Sequence, residues 1–257
     1  LVSNVDNIPI LALGFSAIVS FIITTTYVKK IFKDIKRYQN KFLSIGKILK
    51  NSMPLQIASL GSILLANVDN LMIGAMQNAS SVGYYLIAFK ISLVASFFLV
   101  SMNAATIPKF SKYYWSKNYK KLEETISVSI KTAFYLSVCY CVFVILFAED
   151  ILYFFGEDYI NAKYTLIVLI IGQVINSYFG AVGVYLSVTG REVIVGMVAM
   201  VSVFVNIALN YLLIDLYGIT GAAIATTISI FLWKFPLAIY VKKQDNIAFY
   251  YIPKMFS

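Results

Sequence analysis

Histidine is absent from this 257-residue chain, and cysteine occurs only twice. Without histidine there is no imidazole to ligate a metal or to act as a general base near neutral pH. Cys139 and Cys141 stand two apart in an apolar run. On a helix they face different directions, and such near neighbours do not pair as a disulfide. Charge is scarce as well: 13% of residues are Asp, Glu, Lys or Arg, against about a quarter in a soluble domain. Acidic residues are the scarcer sign, 12 against 21 basic, for a net charge of +9. What is abundant is apolar surface, with 60% hydrophobic residues and a mean hydropathy of +0.80. No water-soluble fold of 28.8 kDa hides that much. Soluble enzymes, nucleic-acid-binding modules and secreted disulfide scaffolds are therefore excluded. The basic residues fall between apolar runs, as cytoplasmic loops of a membrane protein require, so no nucleic-acid partner is expected. No paired acids, nucleophile constellation or Gly-rich phosphate loop stands at the end of a run, so neither catalysis nor a cofactor is expected.

The reading is an all-α, polytopic membrane helical bundle. A spanning helix needs about 20 mostly apolar residues, and seven stretches qualify: 8–28, 53–76, 83–107, 126–148, 162–188, 193–214 and 217–241. The first lacks the basic flank and small-residue cleavage site of a signal peptide. Because the chain opens on Leu1, the numbering is expected to begin inside a longer protein. Gaps 29–52 and 108–125 are lysine-rich, the turn 189–192 contains Arg191, and the segment after the last span starts with Lys242 and Lys243. The alternate gaps hold no Lys or Arg: 77–82 is uncharged, 149–158 has four acids, and 215–216 has Asp215. The positive-inside bias places the first set in the cytoplasm, so the N-terminus of this chain is expected outside and its C-terminus inside the cell membrane.

In gap 29–52, Ile31, Ile35, Tyr38, Phe42, Ile45 and Leu49 recur every three or four residues among cations. This spacing predicts an amphipathic helix on the headgroups, with anionic lipids as partners. Phe110, Tyr113, Tyr114, Trp115 and Tyr119 mix with lysines as an interfacial aromatic belt does.

Charges inside spans each need a reason, since insertion costs roughly 2.5–3.5 kcal/mol apiece. Asp69 and Lys90 lie equally far from the turn 77–82. An antiparallel hairpin would bring them to the same depth, either as a structural ion pair or as polar points on a water-filled cavity. Asn67 and Asn70 flank Asp69. Lys234, near the cytoplasmic end of the last span, is expected to snorkel to the headgroups. Gln173, Asn176 and Ser177 enter the fifth span, while Asn206 and Asn210 share one face of the sixth. These amides either tie helices together or line a cavity. Glycines 172, 180, 183, 218 and 221 mark places where helices can approach closely.

The run Asn206-Ile-Ala-Leu-Asn210-Tyr-Leu-Leu-Ile, followed by Tyr217-Gly218-Ile-Thr-Gly221-Ala-Ala-Ile-Ala-Thr226, resembles the closing region of the polysaccharide flippases. These are the O-antigen, capsule and teichoic-type repeat-unit transporters of the multidrug/oligosaccharidyl-lipid/polysaccharide exporter superfamily. Pro54 opening a span, Asp69-Asn-Leu-Met-Ile-Gly74, Val82-Gly83-Tyr84-Tyr85, Ala88-Phe89-Lys90 and Leu186-Ser-Val-Thr-Gly190-Arg191 agree with it in order. The resemblance covers residues 53–241.

It implies the C-terminal portion of a transporter built from two six-helix lobes. Residues 1–28 would then hold the last helix of the first lobe, 29–52 the cytoplasmic interlobe helix, 53–241 the second lobe and 242–257 a cytoplasmic tail. The missing first lobe would be a partner within the same protein. The implied substrate is a lipid-linked oligosaccharide, a sugar repeat unit on polyprenyl pyrophosphate, flipped across the cytoplasmic membrane for surface polysaccharide synthesis. Lys90 would be the phosphate-facing cation. Asp69, Asn67, Asn70, Asn206, Asn210 and Gln173 would line the cavity, with Arg191 at its cytoplasmic mouth or serving only as a positive-inside anchor. Asp69 could couple transport to an ion gradient. A multidrug exporter of the same superfamily is the alternative. A seven-helix receptor or retinal protein shares the topology, but the third span ends Ile107-Pro108-Lys109 and the seventh lacks Asn-Pro-x-x-Tyr.

Overall fold

The computed structural model describes residues 15–16, 18–27, 53 and 67–250. Among them the regular secondary structure is helical, and no strand occurs. The chain divides into two compact units, Leu1–Ile48 and Leu49–Ser257. In the first unit the apolar helix α1 covers Ile18–Tyr27, inside the expected first span. The expected amphipathic helix at 29–52 lies outside the described residues, as does most of the expected second span.

In the second unit, residues 67–76 are helical and are called α2. Then follow α3 (Ala79–Trp115), α4 (Tyr119–Leu146), the short α5 (Ala148–Tyr153) and a 3-10 turn over Glu157–Ala162. Next come α6 (Lys163–Tyr178), α7 (Val182–Val188), α8 (Glu192–Tyr217) and α9 (Ile219–Asp245). Five described stretches are long and apolar enough to cross a membrane: α3, α4, the 3-10 turn with α6, α8 and α9. The chain is thus a multi-pass membrane protein, in which helices satisfy their backbone polar groups internally.

Side-chain caps set where two of these helices start. The Asn78 side chain accepts the Ser81 N–H at 2.9 Å, and that of Asn118 accepts the Lys121 N–H at 3.2 Å. Both are the N-cap arrangement that satisfies an otherwise orphaned first-turn donor. Helix α3 outruns its expected end at 107 by eight residues and continues through Pro108. At 37 residues it is about 55 Å long, well beyond a hydrocarbon core of about 30 Å. Its end therefore overhangs the membrane, where the carbonyl left without a donor by Pro108 can meet water.

The expected span 162–188 is two helices. Gly180 takes φ +58 and donates its N–H to the Ser177 carbonyl, closing α6 before α7 begins at Val182. This is the left-handed closure that glycine permits without steric penalty. A side chain there would also strike Ile130, whose Cγ1 lies 2.5 Å from the position a Cβ would take.

Helix α9 packs against both α6 and α8, and its small residues make this possible. A Cβ on Gly221 would lie 1.9 Å from the Leu213 carbonyl oxygen of α8, while Ala222, Ala223 and Ala225 are wholly buried. Two apolar cores result. One gathers Ile73, Tyr85, Val144, Leu166 and Ala222, and the other Phe110, Leu122, Tyr185, Leu237 and Phe249. The second core includes a residue of the expected tail. Beyond α9 the chain turns back at Asn246 (φ 55) and buries Ile247 and Phe249, whose ring lies 4.8 Å from that of Tyr185.

Candidate functional site

Asp69 is the centre of the polar interior. It is 2% exposed on α2, and donors from three other helices converge on its carboxylate. The Tyr85 hydroxyl of α3 donates to Oδ2 at 2.6 Å, the Thr226 hydroxyl of α9 donates to the same oxygen, and the Asn210 amide of α8 donates to Oδ1 at 2.6 Å. Asn210 Nδ2 also donates to Asn206 Oδ1 at 3.1 Å, one turn earlier on α8. A buried carboxylate is tolerated when hydrogen bonds replace its water shell. Among the described residues, Asn206 Nδ2 and Asn210 Oδ1 are buried without a partner.

Several expected site residues stand apart from this cluster. Asp69 and Lys90 do not form the anticipated pair. Among the described residues the ion pairs are Lys163–Glu149 and Arg191–Asp245, and Lys90 is exposed on the surface of its unit. Tyr85 and Lys90 are five residues apart on α3, about 140° around the helix axis. The face that delivers Tyr85 to Asp69 thus turns Lys90 away. Gln173 is buried on α6, and its carbonyl accepts from the Asn176 amide at 3.3 Å. Asn70 is half-buried, its Oδ1 without a partner among the described residues, and Asn67 is exposed. Tyr85 and Thr226 were singled out by no polarity argument. Both fall inside the motif blocks Val82–Tyr85 and Gly221–Thr226, the only signal that marks them.

Lys234 does not snorkel. It is 7% exposed, and its Nζ donates to the Gly180 carbonyl at 3.1 Å, at the break between α6 and α7. The same ammonium lies 5.2 Å from the centre of the Trp233 ring. The lysine takes up a carbonyl that the broken helix leaves free.

Arg191, between α7 and α8, is held in place on all sides. Its Nη2 donates to Asp245 Oδ2 at 2.6 Å, and both Nε and Nη2 donate to the Thr189 hydroxyl. Tyr185 donates to the same Asp245 oxygen at 2.8 Å. The guanidinium also lies within 6.0 Å of the ring centres of Tyr114, Tyr185 and Tyr240, at cation–π range. Burial works against the Arg191 charge, but the hydrogen bond and charge of Asp245 outweigh it and raise the pKa above the ordinary guanidinium value. Its charge is matched within the lobe. Asp245 lies just past the expected last span, and nothing in the local pattern links it to Arg191, 54 residues away.

The multi-pass helical bundle thus holds a buried polar network where four helices meet. Residues 54–212 match the MatE family model, and the chain belongs to that family. Among curated proteins it is 25% identical over 242 residues to a probable low-salt glycan biosynthesis flippase, Agl15, of Haloferax volcanii, covering 93% of this chain and 51% of that protein. It is 23% identical over 229 residues to the capsular polysaccharide biosynthesis protein CapF of Staphylococcus aureus, covering 88% of this chain and 57% of that one. The chain thus spans about half the length of the curated relatives it matches. Among solved structures, one of MATE in the bent conformation superposes with a TM-score of 0.70 at 18% identity, covering 94% of this chain and 59% of that one.

Proposed function

We propose that this chain is the C-terminal half of a flippase that carries lipid-linked oligosaccharide, a repeat unit on polyprenyl pyrophosphate, across the cell membrane. The observation that carries this reading is Lys90. It is an exposed cation with no carboxylate partner among the described residues, 11 residues into a 37-residue apolar helix. That places it about 17 Å from the helix start, deep in the bilayer. A charge at such depth faces water, a partner or substrate rather than lipid, which would penalise it by several kcal/mol. An ammonium is a fitting point charge for a pyrophosphate. The names of the two curated relatives, a glycan biosynthesis flippase and a capsular polysaccharide biosynthesis protein, support the same substrate class.

In this reading the buried Asp69, Asn206 and Asn210 network holds α2, α3, α8 and α9 together and does not itself touch the sugar, since these residues are at most 2% exposed. Arg191 serves to fix the cytoplasmic ends of α7, α8 and α9. Alternating access would be rocking of this lobe against the first.

The test is complementation of a flippase-deleted strain with the full-length transporter. Lys90→Gln is expected to lower surface polysaccharide strongly at matched protein abundance, and Lys90→Arg to restore part of it. Wild-type polymer with Lys90→Gln would remove the substrate role. Export of cationic dyes with no effect on polysaccharide would favour a multidrug exporter instead.

A further inference from the structure

Near the turn that joins α3 to α4, the two helices enclose a crevice of about 320 Å3. Its two ends differ in chemistry. Met102 and Ala105 of α3 with Val128 of α4 line the part farther from the turn, and Lys109 and Glu124 line the part nearer to it. Thr106 and Thr125 line the crevice as well. The apolar sequence of α3 ends at Ile107-Pro108. Lys109 and Glu124 therefore stand at headgroup level, with the apolar end of the crevice in hydrocarbon.

Lys109 and Glu124 share this cavity without forming an ion pair, since those among the described residues are Lys163–Glu149 and Arg191–Asp245. The threonines have already spent their hydrogens. Thr106 donates to the Met102 carbonyl at 2.8 Å, and Thr125 donates to the Lys121 carbonyl at 2.7 Å. Each therefore offers only lone pairs to the cavity. The charged end thus presents one cation, one carboxylate and two neutral acceptors.

A purely anionic headgroup would meet Lys109 but, having no cation of its own, would leave the Glu124 carboxylate unmatched. A quaternary ammonium has no N–H to give the two acceptors. A primary ammonium has three donors, and attached to a phosphate it complements both charges at once. We propose that the crevice binds a phospholipid with a phosphoethanolamine headgroup. Its phosphate sits on Lys109, its ammonium on Glu124 and the threonine oxygens, and its acyl chains leave along Met102, Ala105 and Val128. This site is separate from the Asp69 cluster and from Lys90, and does not depend on what is transported.

Native mass spectrometry of the full-length transporter in detergent tests it, with phosphoethanolamine, phosphocholine and phosphoglycerol lipids of identical acyl chains added in turn. The wild type should retain the ethanolamine lipid several-fold more than either of the others. Glu124→Gln should abolish that preference, Thr125→Val should reduce it, and Lys109→Gln should weaken retention of all three. The readout is the ratio between headgroups on one variant, which a loss of folded protein does not shift. Equal retention of the three lipids, preference for the glycerol lipid, or an unchanged ratio in Glu124→Gln would each overturn the proposal. So would a full-length protein that retains no lipid there because another segment of its chain fills the crevice.

Discussion

Asp69 is held by hydrogen bonds from three helices and, among the described residues, by no counter-charge. Removing one donor strands a buried carboxylate oxygen, whereas removing the carboxylate strands the donors. The pair Asp69→Ala and Asn210→Ala should therefore be strongly non-additive. Each single change is expected to cost on the order of 1–3 kcal/mol, with the double change costing less than their sum. Asp69→Ala and Lys90→Ala, which share no contact, should add. Thermal melting of the three single and two double variants in detergent checks both statements, and coupling between residues 69 and 90 would contradict the geometry. The sequence made the depth of Asp69 and Lys90 legible, because rise per residue is fixed in a helix. It left their facing directions open. Which side of α3 meets α2 is settled by packing, where Tyr85 is wholly buried and Lys90 is not. Asn206 and Asn210 were legible as a shared face because they sit four apart on one helix. Their meeting with Asp69, 141 residues away from Asn210, is tertiary and left no local trace.

At the level of helices, hydropathy located the apolar segments and missed the break at Gly180. A glycine adds no charge to a hydropathy window, so 162–188 reads as one span although φ +58 interrupts it. The break in turn explains Lys234, whose ammonium meets the Gly180 carbonyl instead of the headgroups. Lys234→Met should leave that carbonyl without its donor and lower stability by about 1–3 kcal/mol, whereas Lys234→Arg should recover part of the loss. An unchanged melting temperature for Lys234→Met would show that the helix break does not need the lysine. Small residues were legible as sites of close approach, and the structure ranks them. Gly221→Ala would push a methyl to 1.9 Å from the Leu213 carbonyl, which must force α8 and α9 apart. Gly74→Ala meets Val82 at an ordinary 3.5 Å. Gly221→Ala should therefore abolish folded protein in detergent, and Gly74→Ala should leave it nearly unchanged. Equal yields of the two would mean that α8 and α9 can separate without cost.

Across the whole molecule, the loops carry the orientation. Turns rich in Lys or Arg alternate with turns dominated by acids or free of charge, with Lys163 on the acidic side ion-paired to Glu149. The α3–α4 turn is flanked by Lys112, Lys117, Lys120 and Lys121, the α7–α8 turn holds Arg191, and α9 ends on Lys242 and Lys243. The turn before α3 is uncharged, the stretch after α4 holds Glu149, Asp150, Glu157 and Asp158, and α8 ends beside Asp215. The aromatic and ionic ties around Arg191 and Asp245 gather the basic ends of α3, α7, α8 and α9 on one side of the lobe. Bringing those ends together in space makes the alternation a property of two faces rather than of six separate loops. The positive-inside rule therefore predicts that the Arg191 face lies in the cytoplasm. Single cysteines at Ser80 and Glu157, both exposed, are expected to react with an impermeant thiol reagent on intact cells. One at Lys117, exposed on the opposite face, should react only after permeabilisation. Of the two native cysteines, Cys141 is buried and Cys139 is exposed mid-helix in α4, so Cys139 is replaced by Ser in the labelling variants. Labelling of Lys117→Cys from outside, with Ser80→Cys protected, would invert the lobe and bring Arg191 and Asp245 to the outer surface.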